Sequence, residues 1–104
     1  MNCATDVVRD LGFESRVGEV ISDVIQEAVV NGGCAVGEGK EVYGLAQCWR
    51  SMSSDGCREC LEKEAREVRK CVTSRVGRGL NVVCYLMYST SKFFNGGDKL
   101  QRSS

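Results

Sequence analysis

The chain has 104 residues, 42% of them hydrophobic, with seven cysteines and neither histidine nor proline. That length argues for one domain with a modest core, and the apolar content excludes a disordered chain. The formal net charge is zero, so the total gives no bias toward nucleic acid or an anionic membrane; no apolar run approaches the ~20 residues that a bilayer span needs.

Helical periodicity comes first along the chain. Over 13–30, Val17, Val20, Ile21, Val24, Ile25, Ala28 and Val29 follow the i, i+3, i+4, i+7 pattern, with Arg16, Glu19, Asp23 and Glu27 opposite. Asn31-Gly32-Gly33 supplies the stop. Cys34-Ala35-Val36 reads as a flanking strand and Val42–Cys48 as a short strand. A second helix fits 54–72. Ser54 or Asp55 caps it, and Cys57, Leu61, Ala65, Val68 and Val72 line one face. Glu59–Lys63 and Glu62–Arg66 are i, i+4 pairs on its solvated side. Asn81–Tyr88 is the strongest strand, rich in β-branched and aromatic residues, and Lys92-Phe93-Phe94 is a second flanking strand. Gly37, Gly39, Gly77 and Gly79 punctuate loops. Residues 1–95 read as the module and 96–104 as a linker. Helices and strands interleave irregularly, which predicts α+β architecture rather than a parallel βαβ fold. Trp49, Tyr43, Phe93 and Phe94 read as core or sheet packing.

The charges are unevenly spread. Residues 1–47 hold eight acids and three bases, whereas 48–104 hold six acids and eleven bases. This gives either two solvated faces of opposite sign or a dipolar surface that orients a partner.

Three chemistries compete for the cysteines. Cys57, Cys60, Cys71 and Cys84 could ligate zinc, but the helix between Cys60 and Cys71 holds those thiols about three turns apart. Cys57-Arg58-Glu59-Cys60 near a helix start resembles a redox dithiol, but lacks the βαβ context and leaves five cysteines unexplained. Structural disulfides suit a small exported domain. Six cysteines allow fifteen connectivities, and spacing alone does not choose among them. Oxidised cysteines imply an export signal upstream, so the chain is expected to be a piece of a longer protein.

Gly44-Leu45-Ala46-Gln47-Cys48-Trp49-Arg50, then Gly56-Cys57-Arg58-Glu59-Cys60-Leu61, then Cys71 and Cys84-Tyr85-Leu86-Met87-Tyr88, resemble a plant family. The block is similar to the extracellular domain of cysteine-rich receptor-like kinases, found also in plasmodesmata-located proteins and in the ginkgo antifungal protein ginkbilobin. The resemblance covers roughly 3–95. It implies two α-helices packed on a five-stranded antiparallel β-sheet, with disulfides Cys48–Cys57, Cys60–Cys84 and Cys3–Cys71. Cys34 is left outside that pairing, as a thiol packed like a small hydrophobe or as a bond to a partner chain.

The resemblance also brings a sugar question. The antifungal member binds mannose through an asparagine, an arginine and a glutamate, whose positions here hold Ala4, Arg78 and Ser89. With an amide and a carboxylate gone, mannose binding is expected to be lost, since each net hydrogen bond contributes only about 1 kcal/mol. Arg78 is the residual carbohydrate-binding candidate. No histidine and no convergent acid pair is present, so no catalysis by this chain, no metal and no cofactor is expected. The resemblance implies a recognition or assembly module on the apoplastic face of the plasma membrane, the membrane-proximal one of a tandem pair. A transmembrane helix and a Ser/Thr kinase would follow outside this chain. Its partner would be a sister module, a co-receptor, another copy or an apoplastic ligand. The alternative is a free-standing secreted mannose-binding antifungal protein.

Overall fold

The computed structural model describes residues 2–5, 7–10, 12–49 and 51–93; Phe94, Arg50 and the linker expected over 96–104 lie outside them. The first periodic segment forms α1 (Phe13–Val30), which buries Phe13, Val17, Val20, Ile21, Val24, Ile25, Ala28 and Val29. At its entrance the Asp10 carboxylate accepts the Gly12 N–H at 3.0 Å and the Arg16 guanidinium at 2.8 Å. Those two donors hold the Asp10 carboxyl below its ordinary range, the Gly12 amide most of all. The helix stops where Gly32 and Gly33 take φ of +77° and +99°, a region that costs glycine little.

The second helix, α2, spans Ser54–Val68 and tightens into a 3-10 turn at Arg69–Cys71. Its cap is Ser53, not Ser54 or Asp55. Ser53 keeps an extended backbone, and its Oγ accepts the Gly56 N–H at 3.0 Å. The buried face is Cys57, Leu61, Ala65 and Val68, joined by Glu64, while Val72 lies past the turn and is half-buried. Among the described residues Lys70 pairs with Glu67 at 3.2 Å, whereas the expected Glu59–Lys63 and Glu62–Arg66 pairs are not made.

The strands are β1 (Asn2–Cys3), β2 (Cys34–Gly39), β3 (Val42–Cys48), β4 (Val76–Leu80) and β5 (Cys84–Ser89), antiparallel in the order β1-β4-β5-β3-β2. The expected five-stranded sheet is thus corrected: four full strands build it, and the fifth position is only a two-residue edge pairing, Asn2 with Arg78 and Cys3 with Gly77. Three further expectations change. The strand read over 81–88 begins at Cys84, because Asn81 turns the chain by accepting the Val83 N–H on its side chain. Lys92 and Phe93 form no strand. Gly77 and Gly79, read as loop residues, lie inside β4.

Those glycines show how the layers meet. A Cβ on Gly79 would sit 2.9 Å from Val68 of α2, and one on Gly44 would sit 2.7 Å from Val20 of α1. Pairing puts Gly37, Gly44, Tyr88 and Gly77 in one row across four strands, hence on one face. Both helices therefore lie on the same side of the sheet. Beneath them Tyr88, Phe13, Ile21, Leu61 and Leu86 are fully buried. The Tyr88 ring meets Phe13 edge-on at 6.1 Å, and its hydroxyl donates to the Ser74 carbonyl at 2.8 Å.

Three disulfides tie these layers together. Cys48–Cys57 joins the end of β3 to the first turn of α2, with Cα atoms 5.7 Å apart. Cys60–Cys84 joins the same helix to β5 at 6.2 Å, and Cys3–Cys71 brings the N-terminal strand to the 3-10 turn at 5.2 Å. The four thiols weighed as zinc ligands thus belong to three different bridges, and Cys57 and Cys60 of the dithiol reading belong to two.

Candidate interaction surface

Side chains alternate across a strand, so residues between the glycines and buried aromatics point away from the helices. Register lines them up as Val36, Leu45, Met87 and Arg78 in one row, and Cys34, Gln47, Tyr85 and Leu80 in the next. A sheet with one solvated face normally carries polar residues there. This far face is mostly apolar, with the charges Glu38 on β2 and Arg78 on β4. No described helix lies over it.

At one end the apolar character breaks out into solvent. Trp49 is 64% exposed, Leu80 73% and Val82 86%. Trp49 follows β3, and its backbone N–H donates to the Val83 carbonyl at 3.0 Å. Its indole N–H donates to the Val82 carbonyl at 2.6 Å. Two hydrogen bonds therefore fix the ring against the β4–β5 turn. The neighbouring residues Cys48 and Cys84 belong to two separate disulfides, which anchor the platform to α2. A groove of about 730 Å³ runs along it between Trp49, Leu80 and Val82, bounded by Gln47 and Tyr85. None of these side chains carries a formal charge, so the surface is suited to burying apolar area. Trp49 is accordingly not the core residue that its ring suggests. The missed signal was the valine pair in a turn, at positions where polar residues are usual.

The sugar-site positions fall at the opposite rim. The Ala4 N–H donates to the Val76 carbonyl at 3.0 Å, Ser89 pairs with Val76 across β4 and β5, and Arg78 follows two residues along β4. The fold thus brings the three near one another. Ser89 is buried and its Oγ accepts the Ser91 N–H at 3.0 Å, while Ala4 offers only a methyl side chain. Arg78 alone presents a polar side chain to solvent there. Cys34 lies half-buried at the start of β2, opposite Gln47 and outside the three disulfides. Among the described residues no group of three or more Cys, Asp or Glu side chains is placed to hold a metal ion.

Residues 2–91 match the salt stress response/antifungal family. Among curated proteins the chain is 45% identical over 95 residues to cysteine-rich receptor-like protein kinase 42 of Arabidopsis thaliana, covering 91% of this chain and 14% of that one. It is 28% identical over 95 residues to an antimicrobial ginkbilobin-2-like protein of Castanea crenata, covering 85% of this chain and 39% of the relative. The chain therefore spans a small fraction of the receptor kinases it matches. Among solved structures it is similar to the tandem DUF26 ectodomains of two Arabidopsis thaliana cysteine-rich receptor-like proteins. For PDLP8 the TM-score is 0.78 at 26% identity, over 88% of this chain and 44% of that one. For PDLP5 the TM-score is 0.77 at 20% identity, over 91% of this chain and 50% of that one. With its cysteine frame, its two helices on one antiparallel sheet and this match over nearly its whole length, the chain belongs to the salt stress response/antifungal (DUF26) family of plant cysteine-rich proteins.

Proposed function

We propose that this chain is a non-catalytic recognition and assembly module of a plant cysteine-rich receptor-like protein, displayed outside the cell, and that it works by docking a sister module on the far face of its sheet, at the end where Trp49, Leu80 and Val82 are exposed. Residues 1–95 form the module and 96–104 a linker or tail. The observation that carries this reading is the Trp49–Leu80–Val82 ridge, continuous with an apolar sheet face that no described element covers. A rigid aromatic anchor beside exposed aliphatics, free of charge, is the composition of an interface centre. The size of the tandem ectodomains supports the choice of partner, since this chain matches about half of each. Mannose recognition is not part of this reading, because Ala4 offers only a methyl group and the Ser89 hydroxyl is buried and accepts the Ser91 N–H.

The test is a titration of the full chain against the neighbouring module of its parent protein. Saturable association is expected. Replacing Trp49 and Val82 by Asp weakens it by at least about tenfold, since buried unpaired charge is costly, and leaves the three disulfides and the helical signal intact. No association by the unaltered chain, or equal association by the double variant, would remove the reading.

A further inference from the structure

The charge asymmetry of the sequence becomes a cleft on the helical side of the molecule. A groove of about 610 Å³ runs between α1 and α2. Arg58 and Arg66 of α2 and Arg69 of the 3-10 turn that follows it line the groove, all exposed. None of them forms an ion pair within 4.0 Å among the described residues. Facing them on α1 are Ser22 and Gln26, both neutral. Asp23 and Glu27 of α1 line the adjoining groove against β2, which shares Gln26 and Val30 with this one, and neither acid lines the arginine cleft itself. Glu62 is the one acid of the arginine cleft, which leaves three cations against one anion. Glu62 lies four residues from both Arg58 and Arg66, the spacing at which opposite charges favour a solvated helix, but it forms no ion pair within 4.0 Å among the described residues; Arg66 and Arg69 place like charges three residues apart.

We propose that this cleft binds a linear acidic glycan, a chain of sugars bearing carboxylate groups. The guanidinium fork matches a carboxylate with two parallel hydrogen bonds. Helical rise sets Arg58 and Arg66 about 12 Å apart along the axis and Arg66 and Arg69 about 4.5 Å apart. The cations are thus strung along a line, which fits a repeating polyanion rather than one compact anion. Ser22 and Gln26 offer a hydroxyl and an amide to sugar hydroxyls. Ile25 and Ala65, which floor the cleft, are buried, and the one exposed apolar side chain lining it is Val30, at 76%; an acidic peptide finds a single open valine there rather than an enclosed apolar pocket. The cleft is on the helix side of the sheet and shares no residue with the Trp49 ridge, so it stands or falls apart from the sister-module reading.

The experiment titrates the full chain with polygalacturonate oligomers of increasing length, with a neutral oligosaccharide of similar length, and with poly-glutamate of matched charge, following backbone amide shifts by NMR. Uronate binding is expected to saturate, to tighten with length, and to weaken by roughly tenfold or more between about 0.05 and 0.3 M salt. Shifts centre on Arg58, Arg66 and Arg69. The triple change of these arginines to Gln lowers affinity by about tenfold or more; the triple change to Lys, which keeps charge but loses the fork, falls between. Trp49→Asp leaves uronate binding unchanged. Absence of uronate binding at low salt, equal affinity of the Gln variant, tighter binding of poly-glutamate, or equal binding of the neutral sugar overturns the proposal.

Discussion

Tyr88 shows how single residues hold the module. Its side chain is fully buried, and its hydroxyl donates to the Ser74 carbonyl. Burial pushes the phenol up to about 12, against about 10 in the unfolded chain. The neutral phenol is the form that the fold favours, so its stabilisation is fully present below pH 10 and is lost as pH rises toward 12. Unfolding free energy measured across that range should therefore fall, and Tyr88→Phe should flatten part of the fall. At neutral pH the same change leaves the Ser74 carbonyl without its partner, at a cost of about 1–2 kcal/mol. Gly77 is governed by space. A Cβ there would stand 2.5 Å from the Tyr88 ring and 3.0 Å from Cys71 Cβ, and neither buried neighbour is free to retreat. Gly77→Ala is expected to destabilise by about 1–3 kcal/mol, read by denaturant unfolding, despite the smaller entropy of the alanine chain when unfolded.

Among the elements, both helices were legible because their apolar residues recur at the helical period over many turns, and β3 because its ends coincide with a hairpin turn and a cysteine. β4 was not. Val76-Gly77-Arg78-Gly79-Leu80 looks like a loop by composition, yet its glycines alternate with side chains at the strand period, and α2 packs onto the strand through that bare side. The alternation was the available signal. The β4–β5 turn was misread for the opposite reason: Val82 and Val83 have strand propensity, but the Asn81 side chain turns the chain first. Disulfide pairing is a matter of how elements are brought together, which spacing does not encode. Loop closure ranks the three bridges: Cys48–Cys57 closes 9 residues, Cys60–Cys84 closes 24 and Cys3–Cys71 closes 68. Replacing each pair by Ala should cost about 2.5, 3.5 and 4.5 kcal/mol in that order by chain entropy. Thermal unfolding of the three double variants would check the order; the largest loss at Cys48–Cys57 would contradict it.

At the scale of the whole molecule, one sheet carries helices on one face and apolar residues on both. Domains of this kind bury each apolar face against another layer; no described helix lies over the far face, whose Val36 and Met87 are buried while Leu80, with Trp49 and Val82 beside it, stands exposed at one end. The sequence shows the apolar alternate positions of β3 and β5. It does not show which face the helices choose, because that follows from the glycine rows and the strand pairing. The ridge was likewise hidden: Trp49 is the only tryptophan, and a lone tryptophan in a small domain is usually core. The most direct test of docking on this face is hydroxyl-radical footprinting of the chain alone and of the same chain joined to its sister module. Labelling of Trp49, Leu80 and Val82 should be strong in the isolated chain and suppressed severalfold in the joined one, with exposed Val30 on α1 unchanged. Equal labelling of the three residues in both would contradict the docking surface.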